Sequence, residues 1–415
     1  MLRGSDPRLA RELVVVGAHY DHIGYGYGGK KLSRGPVGRI HNGADDNASG
    51  TSAVVELAGA FALLAEPPKR SVLFACFDAE ETGLHGSKHW TAHPNVPLQQ
   101  VAAMVNFDMV GRLRDERLTV FGTRTGYGLR RLVCLAGGES GLLLDVSWDL
   151  RSNTDHYVFF ERRVPVLFFH TGMHAQYHTP YDDPERINRE GIQRVARLAF
   201  GVVYELVERA EPPRFRPQAG NEHNGIRGRM LRQRTGPADR LGVAWCPGRS
   251  QGDGVLLSRV RRGSPAFRAG LRPGDRIVRF AGRKVRDGED LRAVVMTARS
   301  PATLYLWRDE RDEPLKLSVE LDHEPVWLGL TWQTDAADPG GIILTHVIPR
   351  TPAAEAGLRP GDRIYRVAGR DIVDGDEFLR IVRGLSGPVE LLVERDGRVR
   401  TVRVPLDGPP LAKAA

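Results

Sequence analysis

Gly43-Ala44-Asp45-Asp46-Asn47-Ala48-Ser49-Gly50 is the stretch on which the reading of this chain turns. Asp45 and Asp46 are neighbouring carboxylates between a flexible glycine and a helix start. Asn47, Ser49 and Thr51 are cap-type residues, and residues 53–65 are apolar and alanine-rich at helical spacing. A carboxylate just before a helix N-terminus is held ionised by the backbone N–H groups there and aimed at one spot, as a metal ligand must be. Taken alone, the stretch reads equally as a capped helix with solvated acids.

Its surroundings decide between the two readings. Upstream, residues 13–19 (LVVVGAH) form a buried-strand run that ends in His19-Tyr20-Asp21. The loop at 23–40 is glycine-rich, but its GxG is weak as a phosphate site because no helix follows in βαβ spacing. Downstream, residues 71–77 (SVLFACF) run straight into Asp78-Ala79-Glu80-Glu81, and residues 101–107 end at Asp108. Residues 117–121 are a further short strand. Residues 164–169 are another apolar run, followed by a polar loop with Tyr177-His178-Thr179. Helical patterns at 126–136, 155–161 and 188–210 fill the gaps. Continuous apolar strands alternating with helices predict an α/β fold: a mostly parallel sheet with helices on both faces. The acids and histidines then fall on the carboxyl edge of that sheet, where open α/β sheets place their sites.

Composition narrows the class. The 415 residues suffice for roughly two to four domains, and 41% hydrophobic residues is a globular proportion. Apolar runs are strand-length, so no transmembrane helix is expected, and the opening MLRGSDPRLARE lacks the apolar core of a signal peptide. Three cysteines make no disulfide framework, and Cys76 and Cys134, in apolar runs, read as buried small side chains. The net charge of +8 and pI near 9.6 raise nucleic acid as a partner. The arginines are scattered, however, and the densest cluster, 227–234, has no interleaved aromatics, so nucleic-acid binding is not expected.

His19, Asp46, Glu80, Glu81, Asp108 and His178 make one candidate set. Two imidazoles with carboxylates suit zinc and tolerate cobalt or manganese. The set has more donors than one tetrahedral ion uses, and two ions sharing a carboxylate fit it better. His85, His89 and His93, with His41, read as surface or helix residues. His174 reads either as a pocket residue or as loop packing, and Asp45, Asp155 and Asp182 as neighbours of ligands.

With His-x-Asp, GADDNASG, the Glu-Glu pair, Asn106-Phe107-Asp108 and Tyr-His-Thr-Pro in this order, the region 12–208 resembles the dinuclear zinc aminopeptidases of bacteria, of the leucyl-aminopeptidase-like kind. The resemblance implies the roles. Asp46 would bridge two zinc ions, one also held by His19 and Asp108, the other by Glu81 and His178. Glu80 would be the general base on a bridging water, Tyr177 an oxyanion-stabilising tyrosine, and Asp21 the partner orienting His19. The Asp46–Asn47 peptide would be cis. The implied activity is removal of N-terminal residues from peptides. A carboxypeptidase or glutaminyl-cyclising member of the same fold, or a catalytically weak adaptor, stays open as an alternative.

Residues 211–238 are rich in Pro, Gly, Arg and Asn and read as a linker. An internal repeat follows: SPAFRAGLRPGDRI from Ser264 returns as TPAAEAGLRPGDRI from Thr351, each copy preceded by Leu-Gly-apolar (Leu241-Gly242-Val243, Leu328-Gly329-Leu330). The copies resemble PDZ domains of bacterial envelope proteases, which bind peptide or protein termini at a sheet edge; Gly263 aligns with Arg350, a looser match. The expected organisation is a peptidase domain at 1–210, the linker, and small β-rich PDZ domains at 239–321 and 325–406. Members of the family carry further elements before the His-x-Asp strand, so the N-terminal part reads as missing. The resemblance implies a periplasmic or secreted protein, with no export signal in this sequence.

Overall fold

The computed structural model describes residues 1–27, 32–138, 140–232, 237–245, 254–308, 312–385 and 387–405. The tip of the glycine-rich loop, the end of the 227–234 arginine cluster and the last residue of the second expected PDZ domain lie outside them. The chain divides into two compact units. Unit 1 is residues 1–230 with the short segments 335–340 and 394–400, and unit 2 is the remainder.

Unit 1 runs β1 (Leu13–His19), α1 (Gly50–Ala62), β2 (Ser71–Phe77), α2 (His85–Ala92), β3 (Val101–Phe107), β4 (Arg117–Phe121), α3 (Leu129–Ala136), β5 (Leu143–Val146), α4 (His156–Glu161), β6 (Val166–His170) and α5 (Arg189–Glu208). Its sheet has the order β2-β1-β3-β6-β4-β5. β1 pairs in parallel with β2 and β3, and β3 with β6, while β4 lies antiparallel to β6. β1 is buried along its whole length, and its alternate side chains go to opposite faces. Val14, Val16 and Ala18 join Ala53, Leu57 and Phe61 of α1 and Val195, Leu198 and Val202 of α5. Leu13 and Val15 join Met104, Phe77 and Phe159, with Trp90 of α2 packed against them. Helices therefore cover both faces, and the mostly parallel α/β sheet is the one expected.

The free edge at β2 explains a departure. Cys76, expected buried, is exposed, because among the described residues β2 has a neighbouring strand in the sheet on one side only. Part of that edge is met by Leu2, which exchanges backbone hydrogen bonds with Val72 (2.8 and 2.9 Å). The stretch read as a linker from its composition is ordered in its first part. Arg216 forks onto Glu222 (2.6 Å at both nitrogens), and α6 (Asn224–Arg232) starts at Asn224, which hydrogen-bonds Trp148 N, Ser147 Oγ and Asp149 Oδ2. Residues 211–230 accordingly fall in unit 1.

The repeats follow as β7 (Val243–Trp245), β8 (Val255–Val260), α7 (Pro265–Arg268), β9 (Arg276–Phe280), β10 (Arg283–Lys284), α8 (Gly288–Thr297), β11 (Ala302–Trp307) and β12 (Leu315–Val319), then β13 (Leu330–Asp335), β14 (Asp338–Val347), α9 (Pro352–Glu355), β15 (Arg363–Val367), β16 (Arg370–Asp371), α10 (Gly375–Arg383), β17 (Val389–Arg395) and β18 (Arg398–Val404). Their sheets, β12-β11-β9-β8-β7 and β13-β14-β15-β17-β18, have the same plan, with β10 on β9 and β16 on β15. The repeated Pro-Gly-Asp explains itself: Asp275 accepts the N–H of Arg272 and Asp362 that of Arg359, closing the same turn twice. Arg350 takes the left-handed backbone that Gly263 takes in the first copy (φ 58° and 75°).

Candidate metal centre

The GADDNASG segment is an irregular turn followed by α1. Gly43 has φ 60°, and a Cβ there would stand 2.3 Å from the Asp46 carbonyl oxygen, so glycine is required. The turn is stitched to the chain just after β3. Asn47 Nδ2 donates to Phe107 O (2.9 Å), and its Oδ1 accepts from Met109 N and from Gly50 N, which caps α1. Asp45 Oδ1 accepts from Gly111 N at 2.6 Å. The carboxylate held by a backbone N–H is therefore Asp45, and the N–H is that of Gly111 beyond β3, not one at the start of α1 as expected. Asp182 supports the turn from the other side: its Oδ2 accepts the N–H of Asp45 (2.9 Å) and of Asp46 (3.1 Å). The Asp46–Asn47 peptide is cis, as the resemblance implied.

This leaves the Asp46 carboxylate free to face the histidines. His19, at the end of β1, has Nε2 3.3 Å from Asp46 Oδ1 and 3.6 Å from Asp108 Oδ1. Its Nδ1 lies 3.1 Å from the Asp21 carbonyl, which accepts a proton there and turns Nε2 toward the carboxylates. The Asp21 carboxylate, expected to orient His19, takes the N–H groups of Glu80 (3.0 Å) and Glu81 (3.3 Å) and stands 3.6 Å from His19 Nδ1. His178 Nδ1 donates to Leu32 O, and its Nε2 lies 3.1 Å from both Asp46 Oδ2 and Glu81 Oε2. That Nε2 is buried and makes a hydrogen bond to neither oxygen. Nitrogen and carboxylates converge on a point between them, which is the arrangement a cation occupies. The donors at His19, Asp46 and Asp108 lie within 4.8 Å of one another, as do those at His22, Asp46 and Glu81. Both sets contain Asp46, and their N and O donors fit zinc or a similar divalent ion.

Four residues other than glycine take left-handed backbone around the site: Ala79 (φ 53°), Leu84 (60°), Met109 (55°) and His178 (58°). Each costs about 1–2 kcal/mol, held by the surrounding bonds.

The two adjacent glutamates titrate in opposite directions. Burial, reinforced by the charge of Asp108, pushes Glu80 up to about 9. Burial also opposes ionisation of Glu81, but His178 and His22 outweigh it and draw Glu81 down to about 2. Burial would lower His178, yet Asp46 and Glu81 carry it to about 10. Tyr177 stacks on His178 with ring centres 3.8 Å apart and lies under the Arg34 guanidinium (4.9 Å). Burial raises its hydroxyl above the usual range, so it stays an O–H donor. Asp155, buried beside His19 and Asp108, is raised to about 6 by burial.

All seven residues singled out (His19, Asp46, Glu80, Glu81, Asp108, Tyr177 and His178) line one cavity of about 600 Å³. A larger cavity, about 1060 Å³ between α1 and the start of α5, holds neither donor set. The sequence reading missed His22, whose Nδ1 lies 2.8 Å from Glu81 Oε1. The only signal was an imidazole three residues after His19. Asp182, read as a neighbour of ligands, is one: it anchors the turn through the N–H groups of Asp45 and Asp46. His41, read as a surface residue, is buried, with Nε2 2.9 Å from Ser33 Oγ. His174 is not among the residues lining the cavity; its Nε2 lies 3.1 Å from Asp45 Oδ2.

The chain has recognisable relatives. The family model described as Peptidase family M28 matches residues 1–203, and that of the PDZ domain matches 257–308 and 343–395. Aminopeptidase YwaD of Bacillus subtilis (strain 168) is 28% identical over 213 residues, covering 49% of this chain and 43% of that protein. A probable periplasmic serine endoprotease DegP-like of Rhizobium meliloti (strain 1021) is 25% identical over 185 residues, 39% of this chain and 35% of that protein. The solved structure of BSAP, a zinc aminopeptidase from Bacillus subtilis, is 25% identical over 54% of this chain and 52% of that one, with a TM-score of 0.42. The chain thus spans less than half the length of these two curated relatives.

Proposed function

Residues 1–203 are a peptidase family M28 domain, followed by two PDZ segments, and on that footing we propose that this chain is a dinuclear zinc aminopeptidase that removes N-terminal residues from peptides. The observation that carries the reading is the convergence on one shared carboxylate, Asp46, of His19 with Asp108 and of Glu81 with His22, with His178 Nε2 3.1 Å from both Asp46 and Glu81, beside a glutamate in neither donor set, Glu80. His19, Asp46 and Asp108 would hold one ion, and Asp46, Glu81 and His178 the other. Zinc, cobalt or manganese at these positions would supply Lewis acidity and lower the pKa of a water toward neutrality.

The chain's own residues do the rest. Environments that push two neighbouring carboxyl groups apart mark their roles. Glu81 stays ionised as a ligand. Glu80, which keeps its own proton in the metal-free site, would lose it to the positive charge of bound ions and then accept the proton of the attacking water and return it to the leaving amine. The Tyr177 hydroxyl donates to the oxyanion formed from the scissile carbonyl. The substrate is read by its end: a neutral α-amine competes for a coordination position that an acylated end cannot fill.

In the PDZ segments, a cavity of about 210 Å³ lies between β7 and α8, lined by Leu241, Val243, Trp245, Leu291 and Val295. An extended peptide end adds to the edge strand there, so the repeats, taken as domains at 239–321 and 325–406, hold peptide or protein termini. We assign the chain to the periplasm or the exterior.

The test is hydrolysis of free-amine against N-acetylated peptides, with and without chelator. Chelator-sensitive cleavage restricted to free amines is expected. Equal cleavage of acetylated peptides would overturn the exopeptidase reading, and two ions per chain by mass spectrometry would separate the dinuclear form from a mononuclear one.

A further inference from the structure

The cavity extends well past the donor sets, and its far end has a chemistry of its own. β4 and β6 pair with Thr119 opposite His170 and Phe121 opposite Phe168. Side chains alternate along a strand, so these four stand on one face of the sheet. β3 pairs with β6 so that Asn106 is beside Phe168, which puts Asp108, two residues on, at the same edge as His170. Moving sideways from the ligand candidate Asp108, the cavity therefore meets His170 and then Thr119, with the two phenylalanines one layer below.

The phenyl rings of Phe121 and Phe168 stack at 5.2 Å, and His170 stands edge-on to both, at 6.4 and 5.6 Å. His170 Nδ1 accepts the N–H of Gly172 at 2.7 Å. A ring nitrogen that accepts carries no proton, so the ring proton is on Nε2, and burial keeps the ring neutral. The Arg151 guanidinium carbon lies 5.4 Å from the centre of the Phe121 ring and also lines the cavity. This end thus offers flat aromatic walls and two donors. Of the cavity's acids, Asp108 stands at the border with His170, while Asp46 and Glu81 belong to the donor sets and Glu80 follows β2, across β1 and β3 from this end.

We propose that this recess takes the side chain of the substrate's N-terminal residue and selects one tipped with an acceptor, glutamate or glutamine. The inference rests on the aminopeptidase reading above. An aliphatic side chain would lie against the phenyl rings but leave the His170 N–H without a partner, and a lysine side chain would bring its charge beside Arg151. Pairing a charged acceptor with these donors corresponds to at least a tenfold preference. Arg151 and His170 act here as specificity residues, touching substrate away from the reacting atoms.

The experiment uses the full chain loaded with zinc and compares kcat/KM for the p-nitroanilides of Glu, Gln, Leu and Lys, with an N-acetylated dipeptide as control. The expected order places Glu and Gln at least about tenfold above Lys and ahead of Leu. Arg151→Met should lower the Glu-to-Leu ratio about tenfold, and Arg151→Lys should restore part of it. Turnover with Leu or Lys ahead of Glu overturns the inference while leaving the aminopeptidase reading intact, as does a Glu-to-Leu ratio unmoved in Arg151→Met. Cleavage of the acetylated dipeptide that disappears in Arg151→Met would assign Arg151 to a terminal carboxylate and overturn both. No turnover of any free-amine substrate by the zinc-loaded chain overturns both as well.

Discussion

His22 Nδ1 lies 2.8 Å from Glu81 Oε1 in hydrogen-bonding geometry, while the other oxygen of the same carboxylate faces His178 Nε2 at 3.1 Å. Glu81 is thus fixed at both oxygens, one by a histidine that no motif singles out. A partner of that kind sets the direction of a ligand and its affinity for metal.

Removing the His22 ring should therefore weaken one metal site. His22→Ala is expected to lower affinity at the Glu81–His178 site by about 10–100-fold, with the His19–Asp108 site retained. His22→Asn, whose amide N–H stands near the lost Nδ1–H, should recover most of the loss. Competition with a chromophoric chelator gives both affinities; equal affinities in wild type and His22→Ala would rule the role out.

The adjacent glutamates should separate cleanly. Glu80→Gln keeps shape and removes the proton acceptor, so both metals stay bound and kcat falls by at least ~100-fold, with little change in substrate affinity. Glu81→Ala should instead lose one metal, with partial rescue at high zinc. Metal stoichiometry and kcat measured side by side decide it, and loss of metal from Glu80→Gln with a fully loaded Glu81→Ala would reverse the roles.

If the Tyr177 hydroxyl meets the oxyanion, Tyr177→Phe lowers kcat by about 10–1000-fold with metal content unchanged. An unchanged kcat would leave Tyr177 only its stacking on His178.

Metal loading should release protons. In the metal-free chain Asp46 and Glu81 raise His178 to about 10, so it carries a proton at neutral pH, and a coordinating imidazole must give that proton up. Proton and metal compete, so apparent affinity at this site rises with pH, by about tenfold per unit between pH 6 and 8 for one proton. Titration calorimetry in buffers of different ionisation enthalpy counts the protons; a flat pH dependence would remove His178 from the ligands.

A stability test lies away from the site. The fully buried Arg70 pairs its Nε with Glu12 Oε2 (2.8 Å), and its Nη1 donates to the carbonyls of Leu206 (2.6 Å) and Arg209 at the end of α5. Arg70→Met should cost about 2–3 kcal/mol, roughly 4–12 °C in Tm. A calorimetric shift under 1 °C would show that water takes over these contacts.

Strand-borne residues were the legible ones. His19, Glu80, Glu81 and Asp108 follow apolar runs, and a parallel sheet brings the ends of such runs to one edge, so local pattern and site coincide. His22 was not legible, because it acts on a segment distant in sequence, at Glu81, through a loop whose path no periodicity encodes; Asp182 was legible as a neighbour of ligands but its hold on the Asp45–Asp46 backbone was not, for the same reason. His41 looked exposed for the same reason: its partner Ser33 reaches it only once the loop is folded. Cys76 was misread because an apolar run predicts a strand without telling an edge from a centre. The ordered 211–230 segment was hidden by a composition typical of loops; Arg216, Glu222 and Asn224 hold it in place together with Phe215 against Phe160.

The oxygens of Asp46 go separate ways, Oδ1 toward His19 and Oδ2 toward His178. On the two-ion reading proposed above, one codon would be common to both halves of the centre. A mutational path toward a single-ion enzyme would then not pass through position 46 without emptying both halves; it would go through Asp108 or His19 on one side, or Glu81 or His178 on the other. Substitutions within one half should compound with each other, and those across halves should be epistatic through Asp46, so a lineage or an engineer altering metal number has two routes, each leaving this aspartate untouched.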